Sequence, residues 1–309
     1  MSFPNACIFY VLDTSNHDLS TLDGALAKKP FTPCQGLDWN SSGWVAPMTQ
    51  AESLVFTAQG AHKVLLRRQD KVLPGGVVAD ALEAKVTEIQ DKELRKVGRK
   101  EKAALKEQII DDLLPRAFTK KGETMAVLDP QAGMLWVDTT NRTQAETLIG
   151  ELRDALPGLP TVLPRTMTPP LNAMTDWLLA GEVGDGFKLD DEALIQAQGE
   201  KAGSVRVSQM DLGADEIRQL LNTGKRVHKL GLTWRDRIAF VLSDDLSISK
   251  LKWLDVLQEE ASQAGDDPAS FAEATFRIVV QELRDMIGAL VPLLGGYANG
   301  VAEPHQSPC

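Results

Sequence analysis

The chain has 309 residues, 43% of them hydrophobic and 25% charged, and a net charge of −10. These are globular proportions, which exclude wholesale disorder, and no stretch approaches the ~20 consecutive apolar residues of a membrane helix. Three cysteines (Cys7, Cys34, Cys309) without C-x-x-C spacing and four scattered histidines (His17, His62, His228, His305) argue against a disulfide framework and a zinc site.

In chain order, MSFPNACIFYVLD has no basic region ahead of its apolar run, so no secretory signal is expected, and an intracellular, reducing setting follows. CIFYVL reads as a buried strand, and FTPCQGLDWNSSGWVAPM, punctuated by Pro, Gly and Ser, as loop and turns. HKVLL reads as a short strand leading into RRQDK and the Pro74-Gly75-Gly76 turn. The period then changes. Val78, Leu82, Val86 and Ile89, then Leu105, Ile109 and Leu113, step by three and four. This predicts a helical region from about Val77 to Leu114, bent or split near Gly98 and stopped by Pro115. Straight, its ~38 residues would extend roughly 55 Å, so a projecting arm or hairpin is expected. TMAVLDPQAGMLWVDTT reads as a β-hairpin, RTQAETLIGELRDALPGLP as an amphipathic helix, and Pro160 to Pro170 as an extended linker. A helix at MTDWLLAGE follows, then strands at FKLDD and SVRVSQMDL and a helix at GADEIRQLLNTG. Strands at RVHKLGLTWRDRIAFVLSDD and SISKLKWLD come next, then a long helix through FAEATFRIVVQELRDMIGALVPLLGG and a mobile tail. The order implies an α+β fold with antiparallel sheets rather than βαβ crossovers.

The motifs of phosphate-binding loops, dinucleotide sites and serine hydrolases are absent, so no cofactor is expected. The pairs Asp111-Asp112, Asp190-Asp191 and Asp244-Asp245 offer a metal-dependent nuclease as one reading and solvated turns as the other. The six tryptophans read mainly as core residues. Charge is more informative. From His62 to Lys121, fifteen Lys and Arg stand against ten Asp and Glu, whereas the remainder has eighteen against thirty-three. Lys92, Lys96 and Lys100 recur every four residues, as do Arg95 and Arg99, which would put each set on one helical face. Such a face is either a common solvated Lys/Glu surface or a ladder for phosphates. Further cations cluster at Arg67, Arg68 and Lys71; at Lys120 and Lys121; at Lys225, Arg226 and Lys229; and at Lys250 and Lys252. No base-reading motif accompanies them, which points to sequence-independent binding. A helical arm that binds another protein without gripping DNA is the alternative.

Several of these stretches resemble the bacterial recombination-associated protein RdgC family: FTPC (Phe31 to Cys34), GWVAPM (Gly43 to Met48), KVLPGGVVADALEAKV (Lys71 to Val86), RKEKAALKEQIIDDLLPRAF (Arg99 to Phe118), DLGADEI (Asp211 to Ile217) and TGKRVHKLGLTW (Thr223 to Trp234). The resemblance implies a non-enzymatic protein binding double- and single-stranded DNA with little sequence preference. It implies elongated, horseshoe-like subunits that close as a ring-shaped homodimer around DNA, and a role in limiting RecA-type recombinases. The implied setting is cytoplasmic and nucleoid-associated, with no membrane partner. Residues 1–72 with 122–168 would form a central α+β domain, 73–121 a helical tip, 169–297 a base domain and 298–309 the mobile tail. Leu114, Pro115, Arg116 and Phe118 match the family's ring-closing positions. Where relatives carry a Trp and an Arg near the start, this chain has Ser2 and Val11. Where they carry a Lys-Lys pair it has Ser208 and Gln209, leaving Arg206 as the nearby cation.

Overall fold

A computed structural model describes residues 4–48, 52–197, 199, 203–263 and 267–298. The expected tail lies, from 299 onward, outside them, as does Ser2. The chain divides into two compact units, one of 1–26, 46–65 and 124–309 and the other of 27–45 with 66–123.

In the first unit, β1 (Ile8–Leu12) is buried along its whole length. It lies between β6 (Met134–Val137) and β7 (Thr161–Val162), and β5 (Phe118–Asp129) pairs with β6. All these pairings are antiparallel, with Phe9 opposite Trp136 and Val127 opposite Trp136 in turn. Strand alternation divides the apolar run between two layers. Phe9, Val127 and Trp136 join a core shared with α8 (Pro268–Leu293), whereas Tyr10 Oη donates to Glu146 of α4 (Arg142–Ala155) at 3.2 Å. Helix α4 starts where the Asn141 side chain accepts the Gln144 N–H, and α8 where Asp267 accepts those of Ala269 and Ser270. β3 (Val55–Ala58) pairs with β4 (Ala61–Val72), and Phe56 meets Phe276 of α8 edge-to-face at 5.3 Å. α1 (Leu22–Leu26) covers α4 with buried Leu22 and Leu26.

The same unit contains a second antiparallel sheet in the order β12-β11-β10-β8-β9. Its strands are β8 (Phe187–Gln196), β9 (Ser204–Ser208), β10 (Arg226–Trp234), β11 (Ile238–Ser243) and β12 (Ile248–Trp253). Arg235 and Asp236, both at positive φ, are the central pair of the turn between β10 and β11, closed by Arg237 N–H donating to the Trp234 carbonyl at 2.8 Å. The inner face carries Ile195, Val207, Val227, Leu230, Leu232 and Trp234. It packs on α5 (Pro170–Ala180), whose Thr175 hydroxyl accepts the Val227 N–H at 3.0 Å. α6 (Asp215–Asn222) adds Ile217 and Leu221 to this core. α7 (Asp255–Ser262) packs beside α8, where Arg237 binds both Glu260 and Glu282.

The N-terminal segment ties the two sheets together. Cys7 exchanges backbone hydrogen bonds with Ile248, Leu251 N–H donates to Asn5, and Trp253 Nε1 donates to Pro4. Ala6 N–H donates to Asp138, a carboxyl pushed up by burial. Near it, burial pushes buried Lys63 down to about 8, against the pull of Asp138. The unfolded chain keeps this proton up to the ordinary lysine value of 10.5. The unfolded state therefore binds more protons between about pH 8 and 10.5, and stability rises with pH across that window. The gain is at most about 3 kcal/mol. In urea denaturation the protein should gain stability relative to Lys63→Met between about pH 7.5 and 10.5. A constant difference would mean that the ammonium is not desolvated.

In the second unit, β2 (Asn40–Val45) lies beside β4, and β4 beside β5. The segment read as loop and turns thus holds a strand, because its backbone pairs with a neighbour that its composition does not reveal. β4 also continues through RRQDK, which was expected to follow the strand. The helical region is two helices, α2 (Gly75–Glu93) and α3 (Arg99–Leu113), packed on each other. The break comes at Leu94, in left-handed conformation (φ 50°, ψ 33°). The Lys92-Lys96-Lys100 and Arg95-Arg99 rows therefore share no helical face, since the chain reverses between their members.

Candidate nucleic-acid interface

Register determines what the outer face of the second sheet presents. Thr233 stands opposite Lys188 on one side and Ala239 on the other, and Ala239 opposite Lys252. This makes one row, Lys252-Ala239-Thr233-Lys188. Four residues back along β10, Lys229 stands opposite Leu194, and Leu194 opposite Arg206. Arg226, opposite Gln196, shares that face because the register shift between Val227 and Lys229 absorbs one residue. Another shift, between Ala239 and Val241, carries Lys250 at φ 52°. Its ammonium binds Glu192 and so ties β12 to β8 across the two strands between them. Gly231 belongs to this face too, where a Cβ would meet the Glu192 carbonyl oxygen at 3.1 Å.

Six cations thus occupy one surface spanning five strands, about 19 Å at ordinary strand spacing. Lys188 is paired with Asp236 at 2.7 Å and Lys250 with Glu192. Among the described residues, Arg206, Arg226, Lys229 and Lys252 have no ion-pair partner. An unpaired cation attracts phosphate without first breaking an internal bridge. Lys188 was missed in the sequence because its nearest cation there is 13 residues away. Strand parity with Thr233 is the signal that finds it. Lys225 donates to Thr223 Oγ1 at 3.0 Å, just ahead of β10.

The second unit has its own basic surface, thinned by internal pairs. Arg67 binds Glu123 at 2.6 Å and lies over Phe31, and Arg68 binds Asp70 at 2.8 Å. Lys71 is buried, and its ammonium donates to the Gly36 carbonyl. Lys92 binds Glu88 at 2.6 Å, a carboxylate held at about 2 by hydrogen bonds from Lys85 and Lys92. Arg95 forks onto Glu101 with two contacts of 2.7 Å and also holds Glu93. Lys96, Arg99, Lys100, Lys120 and Lys121 are exposed and, among the described residues, without ion pairs. Leu114 is 1% exposed, whereas Phe118 is 87% exposed. Pro115 and Arg116 between them are also exposed.

The acidic pairs do not converge. Asp111 and Asp112 lie on α3, and Asp190 and Asp191 on β8. Asp244 is engaged by His228 at 2.6 Å, and Asp245 by Ser247. Among the described residues, no group of three or more His, Cys, Asp or Glu could hold a metal ion, and no helix is long and apolar enough to cross a membrane.

Fold and surface together define an α+β protein with antiparallel sheets, one of whose faces carries four cations without ion pairs among the described residues. Comparison with known proteins names the kind. The family model described as "Putative exonuclease, RdgC" matches residues 1–297. The chain is 47% identical over 297 residues to the recombination-associated protein RdgC of Laribacter hongkongensis, covering 96% of this chain and 99% of the relative. It is 45% identical over 292 residues to that of Neisseria gonorrhoeae (94% and 98%) and 37% identical over 299 residues to that of Shewanella baltica (96% and 98%). The chain belongs to the RdgC family of recombination-associated proteins.

Proposed function

We propose that this protein binds double- and single-stranded DNA without regard to sequence, as a ring-shaped homodimer of horseshoe-like subunits, and so limits loading of RecA-type recombinases in the nucleoid. The observation that carries the reading is the outer sheet face with Arg206, Arg226, Lys229 and Lys252 unpaired. Short or absent side chains lie between them at Gly231, Thr233 and Ala239. A flat cationic face can follow a phosphate backbone, while no element of it enters a groove to read base edges. The exposed cations of the second unit would supply phosphate contacts of their own. An acidic remainder would repel the polyanion elsewhere and bias its approach.

Ring closure is assigned to Pro115, Arg116 and Phe118, Leu114 being buried within the subunit. A phenylalanine 87% exposed at the start of a strand gains about 1.5–3 kcal/mol when fully covered, and a two-fold contact would count it twice. Two measurements test the reading. Anisotropy of a random-sequence duplex of ~30 base pairs, titrated from about 50 to 300 mM salt, should give a slope of at least roughly −5 in log K against log salt. In sedimentation, Phe118→Ser should weaken the dimer at least about tenfold with the subunit still folded. No duplex binding at low salt would sink the DNA reading, and an unaltered dimer would remove Phe118 from the closing contact.

The family description favours a second reading, a nuclease. A cleft of about 600 Å³ lined by Asp190, Asp191 and Asp211 is its nearest structural support. It requires strand cleavage that appears with magnesium and disappears with EDTA.

A further inference from the structure

The tip of the α2–α3 hairpin carries a residue that neither its packing nor its backbone explains. Leu94 is 90% exposed and sits at φ 50°. A side chain so exposed buries almost nothing, and the left-handed conformation is one in which Gly or Asn is at ease and a branched residue is strained. The loop that presents it is fastened on its far side. Arg95 is clamped by Glu93 and Glu101, and Val97 is 8% exposed. The leucine is thus held outward by its neighbours.

Charge at the tip selects the partner. With Lys92 held by Glu88 and Arg95 by its two carboxylates, the exposed Lys96, Arg99 and Lys100 stand without ion pairs among the described residues, against Asp91 alone. An apolar point ringed by free cations is complementary to a polyanion with an apolar interior, the stacked bases of a duplex. We propose that Leu94 is a wedge that enters a base step of duplex DNA from the minor groove while Lys96, Arg99 and Lys100 hold the flanking phosphates. This rests on the DNA-binding reading above and deepens it. Aliphatic side chains inserted between base pairs unstack a step at a modest cost that phosphate contacts offset. Pyrimidine–purine steps yield most readily. Leucine has no hydrogen-bonding group and no aromatic face, so it reads no base and gains little from a single strand.

The test uses the full chain and a duplex with 2-aminopurine at a central TA step, with anisotropy measured on the same samples. The unaltered protein should raise 2-aminopurine fluorescence on binding. Leu94→Gly, which suits the left-handed backbone and keeps the hairpin folded, should abolish that rise and weaken duplex binding about threefold to tenfold, with single-strand affinity unchanged. Leu94→Met should retain the signal. Duplex binding without a fluorescence change, or a Leu94→Gly variant that keeps it, overturns the wedge and leaves DNA binding standing. Absence of duplex binding by the unaltered protein overturns both. A Leu94→Gly variant whose sedimentation shifts toward monomer makes Leu94 a contact between subunits and overturns the wedge as well.

Discussion

Replacing Arg206, Lys229 and Lys252 with alanine should lower affinity for a random duplex several-hundredfold near 0.1 M salt. Each phosphate contact contributes close to one unit of salt slope, about 0.9 for duplex DNA. Three lost contacts should therefore flatten the slope by about 2.7, which at 0.1 M relative to 1 M corresponds to roughly 500-fold, or about 3.7 kcal/mol. The loss should be the same for every sequence, because these side chains stand on a flat sheet and reach no groove edge. None of the three makes an internal ion pair among the described residues, and Arg206 and Lys252 lie on the outermost strands of the sheet, so folding should be nearly unaffected. Lys71→Ala in the same assay should leave the slope unchanged, since that ammonium is bound to the Gly36 carbonyl. An equal slope in the triple variant would take the sheet face out of the DNA path and leave the second unit's cations to account for binding.

The largest effect on stability is expected at Asp129. Its carboxylate is fully buried and accepts two hydrogen bonds of 2.9 Å from Arg284, joining the end of β5 to α8, and a third from Ala132 N–H. Asp129→Ala leaves a largely buried guanidinium without its counterion, at a cost of about 3–5 kcal/mol. That is a large part of the total stability of an ordinary domain. Asp129→Leu combined with Arg284→Met should recover most of the loss, because the penalty lies in stranding one charge rather than in losing the pair. Denaturant unfolding of the three variants decides it. A cost below about 1 kcal/mol for Asp129→Ala would mean that water reaches Arg284.

Local pattern was enough for much of this molecule. The apolar run CIFYVL, the three- and four-residue steps of α2, α3 and α8, and the Asp-Pro and Gly signals of the β5–β6 hairpin each report a single element. Each such signal is confined to neighbours in sequence, and so is the charge excess between His62 and Lys121. The family stretches from Phe31 to Trp234 are likewise read residue by residue, and the match over 1–297 agrees with them. Pairing decided the rest. Whether a cation is free depends on which carboxylate the fold brings to it: Arg67 meets Glu123 and Lys250 meets Glu192, partners 56 and 58 residues away. The basic ladder expected on one helix is interrupted at Leu94, where a single left-handed residue reverses the chain. Lys188, Arg206, Lys229 and Lys252 come to one face only through strand register, and Arg226 joins them across the bulge between Val227 and Lys229. The bulge changes the parity that alternation would assign, and parity cannot be carried across a bulge from sequence alone.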